Sequence, residues 1–238
     1  IVSHASNVFG LIAPVEDIFA LAKKYEAITL VDMAQTAGLV DLNVGLTTID
    51  FAVFAGHKTL YGPTGISGFV MNPAVKFPAV IFGGTGYESA NQDMPEDLPQ
   101  KYEMGTQDIA GIAGLNAALG WSAQVTIDAI RKKEAENRKK LIDLLSRYSY
   151  IKIIGNYDSC NYVGIVSCII EGISSDSAVP VFDRCGIAVR TGLQCAPLAH
   201  QFMGTFPAGT IRFSVNYFTT DKDFAELEQA LDYIDSEL

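Results

Sequence analysis

The chain reads as an α/β protein: a mostly parallel sheet covered by helices, followed by a smaller α+β lobe. Three observations carry that reading. Residues 28–31 and 51–55 are apolar on both faces of a strand, as strands buried between helix layers are. A helical stripe of Val15, Ile18, Leu21 and Ala22 precedes the first run, so helix and strands alternate. From about residue 150 the pattern changes to short strands and short helices. With 238 residues, 49% hydrophobic and 18% charged, the chain can fill a full-sized core, which excludes disorder and coiled coil.

Each element follows from local pattern. Pro14 suits the opening of a helix that ends near Tyr25. Strands are expected at 28–31, 51–55 and 65–71. Residues 83–107 are rich in Gly, Pro and acids and read as a long functional or mobile loop. Helices are expected at 108–124 and 126–148. The first is free of charge between 109 and 125, but Gly111, Gly114, Asn116, Gly120, Ser122 and Gln124 interrupt it, so it reads as a packed core helix and not a membrane span. The second carries a charged run over 131–140 that reads as a solvated face linking two lobes. Beyond it, strands are expected at 151–154, 162–170, 187–190 and 210–215, with a helix at 174–185. Thr220 and Asp223 have capping-box-like spacing, and Phe224, Leu227, Leu231 and Ile234 form the stripe of a last helix. The expected domains are 1–125, a linking helix 126–149, and 150–238. Ile1-Val2-Ser3-His4 reads like a strand already under way, so an upstream portion is expected outside this chain.

Composition removes several functions. Lys+Arg 17 against Asp+Glu 27 gives a net charge of −10, which argues against a nucleic-acid partner. Cys160, Cys168, Cys185 and Cys195 form no CxxC pair and have no His at zinc spacing, so no metal site is expected. A chain this long and apolar does not need a disulfide framework, and a reducing, cytoplasmic setting is expected.

The chemistry concentrates where the strands end. The run 28–31 leads into Asp32, followed by Gln35, and the run 51–55 leads into Gly56-His57-Lys58. In parallel α/β sheets, binding groups lie beyond the carboxyl ends of the strands. An amine and a carboxylate delivered there suit pyridoxal phosphate (PLP), whose aldehyde is held by a lysine and whose pyridine nitrogen is kept protonated by an acid. Arg212 lies on a strand-like run and needs a buried anion, for which a substrate carboxylate is a candidate. Cys195 follows the Gly-containing stretch 191–194, between Arg190 and Arg212 in sequence, a setting that favours a nucleophilic thiolate.

The stretches VDMAQTAG, FAGHKTLYGPTGISGF, EMGTQD and VRTGLQCAPLAH, in this order, resemble the motifs of class V aminotransferases, in particular the cysteine desulfurases with a short cysteine loop. The resemblance runs from His4 to Arg212. It implies an aspartate-aminotransferase-like fold of a PLP-dependent transferase: part of the large domain, then the smaller C-terminal one. It also implies a role for each matching residue. Lys58 would carry PLP as a Schiff base, Asp32 would hold the pyridine nitrogen, Gln35 the phenolate oxygen and His57 the phosphate. Asn7 and Arg212 would clamp the carboxylate of a small amino-acid substrate, Arg212 through its planar fork. Thr106 of one subunit would reach the phosphate site of the other, which implies a homodimer with shared sites. Cys195 would take sulfur from cysteine, leaving alanine and a persulfide for a sulfur-acceptor protein. Two departures stand out: Ala55 occupies a position where the family usually has Ser or Thr, and the family's upstream phosphate turn and stacking ring have no counterpart here.

Plainer readings stand beside these. Asp32 could be a helix N-cap, Gln35 a polar residue on a turn, His57 a structural hydrogen-bonder and Arg212 one half of a salt bridge. Cys168 and Cys185 read as small apolar residues, Cys160 has no role, His4 reads as structural and His200 as a surface histidine. Another class V enzyme (an aminotransferase or selenocysteine lyase), or a PLP-free dimerisation module, is the alternative to a desulfurase.

Overall fold

The structure is a computed structural model and describes residues 1–237. It contains two sheets. The first has four strands, β1 (Val2–Ser3), β2 (Leu30–Asp32), β3 (Phe51–Ala55) and β4 (Ser67–Met71), in that spatial order. β1 and β2 run parallel, as do β2 and β3, whereas β4 returns antiparallel to β3. Helix α1 (Val15–Lys23) covers this sheet by burying Val15 and Phe19 against Val31, Ile49 and Ala52. The strand expected at 28–31 begins two residues later, because Ile28 faces solvent and Thr29 is occupied in bonds to Asp50. Asp32 is the last residue of β2.

Residues 83–107 carry little regular structure beyond a 3-10 turn at Gln100–Tyr102. Helices α2 (Ile109–Val125) and α3 (Ile127–Leu145) follow. They meet at Thr126, whose hydroxyl accepts from Ala129 N at 3.3 Å and starts the second helix. The expectation that α2 is a packed core helix is corrected. Only Gly111 and Ser122 of α2 are buried, while Ile109 is 70% exposed and Ile112 and Leu119 also face outward. A helix apolar on every side needs cover on every side, and the described residues supply it on one. α3 shows the opposite error. Its solvated face is real, with Lys139 on Asp143 and Lys140 on Asp221, each at 2.6 Å, but Glu134 from the charged run is buried.

The second sheet is antiparallel, β5 (Ile151–Ile154), β6 (Ile165–Ile170) and β7 (Ile211–Ser214) in that order. One core joins Leu141, Leu144 and Leu145 of α3 to Phe182 of α4 (Ser175–Arg184), to β6 and β7, and to Leu227, Leu231 and Ile234 of α6 (Asp221–Glu237). The strand expected at 187–190 is absent: only Arg190 pairs, in a single bridge to Arg212, before the chain turns away at Gly192. A short helix the sequence reading omitted, α5 (Pro197–Phe202), places Ala199 and Met203 with Val8, Phe9 and Ile154. Residues just after β1 therefore sit on the second sheet, and Ser167 donates its hydroxyl to Val8 O at 2.5 Å.

Candidate active site

Because β2 and β3 are parallel neighbours, Asp32 and the turn after Ala55 leave the sheet at the same end. The turn carrying His57 and Lys58 is drawn closed by the bond from Gly62 N to Gly56 O at 2.7 Å. Glycine is required at 62, since a Cβ there would stand 2.8 Å from Gly56 O and from Leu115 Cδ1 of α2. Thr59 donates to Ala37 O at 2.7 Å and so ties this turn to the one that follows Asp32. Two successive strand ends and one side-chain bond thus bring Gln35 next to His57 and Lys58.

These three side chains line a cavity of ≈ 250 Å³, closed on its other side by Glu134, Gly164 and Arg212. The first lobe supplies an amide, an imidazole and an amine; α3 supplies a carboxyl and β7 a guanidinium. Arg212 keeps its Nε buried and without a partner. Burial lowers the proton affinity of its guanidinium, Arg190 lowers it further and Cys195 opposes both, so the three groups share one electrostatic neighbourhood. No acid of the chain pairs with Arg212 among the described residues, which removes the salt-bridge reading. Its Nη1 donates to Asn7 O at 2.8 Å.

Asn7 therefore lies beside Arg212, but its amide nitrogen is engaged with Gln194 O at 2.6 Å. That bond leads directly to Cys195, which is exposed. Asp32 stands at the strand end, half-buried, with Oδ1 accepting from Ala34 N at 2.8 Å, so the turn-capping role is real. It does not line the cavity. Thr106 is exposed in the loop before α2, outside the cavity. His4 is buried on Thr36 at 2.9 Å, as a structural residue. Cys168 is buried, and burial lifts its thiol to about 12, which makes it inert.

Two functional candidates escaped the sequence reading. Glu134 is buried in the cavity wall and accepts from Gly164 N at 2.6 Å; burial, opposed by that bond, pushes its carboxyl up to about 7. Glycine is needed at 164, where a Cβ would meet Val215 O at 2.2 Å and Glu134 Cγ at 2.7 Å. A signal existed: Ile130, Glu134, Asn137, Leu141 and Leu145 recur at helical spacing on one face. The other candidate, His200, is fully buried, so its reading as a surface histidine is corrected. Only the unforeseen helix α5 places it inside.

Known proteins bear on the family and the fold. The family model "Aminotransferase class-V" matches residues 1–227. The probable cysteine desulfurase of Methanothermobacter thermautotrophicus is 32% identical over 239 residues, 98% of this chain and 59% of its own. That of Halalkalibacterium halodurans is 34% identical over 235 residues, covering 97% and 56%. Among solved structures, the cysteine desulfurase CsdA (S-sulfonic acid) from Escherichia coli superposes with a TM-score of 0.86 at 27% identity, over 99% of this chain and 58% of that one. The apo cysteine desulfurase from Thermococcus onnurineus NA1 gives 0.84 at 25%, over 99% and 59%. This chain thus spans little more than half the length of these relatives. Members of the family are PLP-dependent. Motif order, fold and matched length agree, and the chain belongs to the class-V aminotransferases.

Proposed function

We propose that this chain works as a cysteine desulfurase, converting L-cysteine to alanine and an enzyme persulfide on Cys195. One observation supports it most: Lys58, His57 and Gln35 face Arg212 across a single cavity, and Cys195 sits on the adjoining turn. The groups present fit PLP in type. Lys58 would hold its aldehyde carbon covalently, Asp32 the pyridine nitrogen, Gln35 the phenolate oxygen and His57 the phosphate, with Thr106 of a second copy completing a homodimeric site. Ala55 offers that phosphate no hydroxyl. When bound, PLP supplies an electron sink that acidifies the substrate α-carbon.

The protein's own groups do the rest. Arg212, with its unpartnered Nε, binds the substrate carboxylate, and Asn7 holds that guanidinium through its carbonyl. The Lys58 amine takes the α-proton and holds it for return to the same carbon. The Cys195 thiolate attacks the substrate sulfur; the S–S bond forms as the C–S bond breaks, the electron pair left on the β-carbon takes a proton, and the α-carbon regains its own proton from Lys58, which gives alanine. Cysteine loses one sulfur atom and Cys195 gains it, so the step balances. A sulfur-acceptor protein would then remove it. We also propose a division of the chain into 1–125, a linking helix 126–149 and 150–238, which the two separate cores on either side of α3 support.

Trapping persulfide by mass spectrometry tests the reading. The parent chain, given PLP and cysteine, labels at Cys195 and forms alanine; Cys195→Ala loses at least 90% of the transferable sulfur. Borohydride reduction should add the cofactor mass at Lys58 alone. The outward apolar faces of α2 and β4, where Phe69 and Val70 are exposed, favour a second reading as a PLP-free dimerisation module. A chain whose absorption ignores added PLP would select it.

A further inference from the structure

Four side chains outside the cavity form a closed hydrogen-bonded set behind Cys195. His200 Nε2 lies 3.0 Å from Gln194 Oε1, and His200 Nδ1 lies 2.7 Å from Thr205 Oγ1. Gln194 Nε2 donates to Thr210 O at 3.1 Å and to Arg190 O at 3.3 Å, while Thr210 Oγ1 donates to Gln194 Oε1 at 3.3 Å. All four side chains are buried. The pattern fixes the histidine tautomer. With its amide nitrogen donating to two carbonyls, Gln194 offers His200 only an acceptor, so the proton sits on Nε2 and Nδ1 accepts the Thr205 hydroxyl.

The set bears on one backbone stretch. Gln194 and Cys195 both adopt left-handed angles, φ +42° and +62°, a conformation that side chains other than glycine's disfavour. Something must hold them there. The Gln194 side chain is anchored from below by His200 and Thr210, and its carbonyl receives Asn7 Nδ2 at 2.6 Å. Asn7 in turn accepts from Arg212. An unbroken chain of bonds runs from the His200 ring through Gln194 and Asn7 to the guanidinium.

We propose that Gln194 and His200 are positioning residues for Cys195, pinning its strained turn against Asn7 and Arg212 so that the thiol stays beside the arginine that would hold the substrate carboxylate. The proposal rests on the reading of Cys195 as the nucleophile, and it concerns a task the thiol cannot perform for itself: keeping a fixed distance from Arg212. The same bonds tell the second lobe's half of the site where to stand, since no strand carries Cys195.

Site-resolved alkylation with iodoacetamide tests it on the full chain, with exposed Cys160 as the internal reference. His200→Leu keeps the bulk and removes both bonds; it should lower the Cys195-to-Cys160 rate ratio at least threefold, as the turn relaxes away from Arg190 and Arg212. His200→Gln restores a donor toward Gln194 and should bring the ratio back to within twofold of the parent. A parental ratio in His200→Leu overturns the proposal, and so does an equal fall in both variants. Should His200→Leu fail to fold, Thr205→Val removes only the hydroxyl facing Nδ1, and a parental ratio there is equally fatal. Sulfur transfer by Cys195→Ala separates the two claims: parental sulfur yield in that variant removes the nucleophile, whereas loss of sulfur transfer there with an unaltered ratio in His200→Leu removes only the clamp.

Discussion

Helices α2 and α3 are consecutive, similar in length and opposite in composition. α2 carries no charge at all, and more than half of α3 is charged. Yet α2 buries only Gly111 and Ser122, whereas α3 buries Ile130, Glu134, Asn137, Leu141, Leu144 and Leu145. Burial follows the stripe, not the average. α3 concentrates its few apolar side chains on one face that meets both lobes, and its polar residues on that face find partners: Glu134 takes Gly164 N, and Asn137 donates to Asn216 O at 2.8 Å and Thr219 O at 3.1 Å. α2 spreads its apolar residues around the cylinder and uses only the side that reaches Pro63 and the Lys58 turn.

Truncation should separate the two helices most widely. Ile130→Ala, at a site with no exposure, is expected to destabilise the chain by about 2–5 kcal/mol in urea unfolding. An effect below 1 kcal/mol would mean that α3 is not the structural hub described above. Next comes pH. Burial raises the Glu134 carboxyl to about 7, so the folded chain keeps a proton that the unfolded chain releases near 4.5. The folded state therefore loses stability as pH rises from 4.5 to 7, by roughly 3 kcal/mol relative to Glu134→Gln, which has no such proton. Unfolding of both chains at pH 5 and pH 8 measures the difference; parallel curves would reject a buried, protonated Glu134. The smallest effect belongs to α2: Ile109→Ala should change stability by less than about 0.5 kcal/mol. A larger loss would show that its outer face is covered in solution.

Much of this arrangement was legible because it is local. The strand ends that carry Gln35, His57 and Lys58 are marked by apolar runs a few residues long, and a parallel sheet delivers their ends to one side without further information. Arg212 was legible as a cation on an apolar strand that must have a reason to be there, and Cys168 as an inert residue within β6. What escaped depends on contacts between distant residues. Glu134 meets a backbone N–H thirty positions on; helical spacing puts it on the face of Ile130 and Leu141, but the partner that lets a carboxyl be buried there is invisible in the local sequence. His200 lies in a six-residue helix whose burial is decided by Val8 and Phe9, at the far end of the sequence. The strand expected at 187–190 had the right composition but only one residue with a partner, Arg190. Asp32 ended its strand as read, yet its carboxylate is used locally on Ala34 N, a competition that periodicity cannot display.

The stretch that follows β1 belongs to both lobes at once: Ser3 is the last residue it leaves in one sheet, Val8 O is gripped by Ser167 of the other, and Asn7 O receives Arg212. A movement of one sheet against the other would therefore strain residues 4–10, and one of the bonds so strained ends on the Arg212 guanidinium.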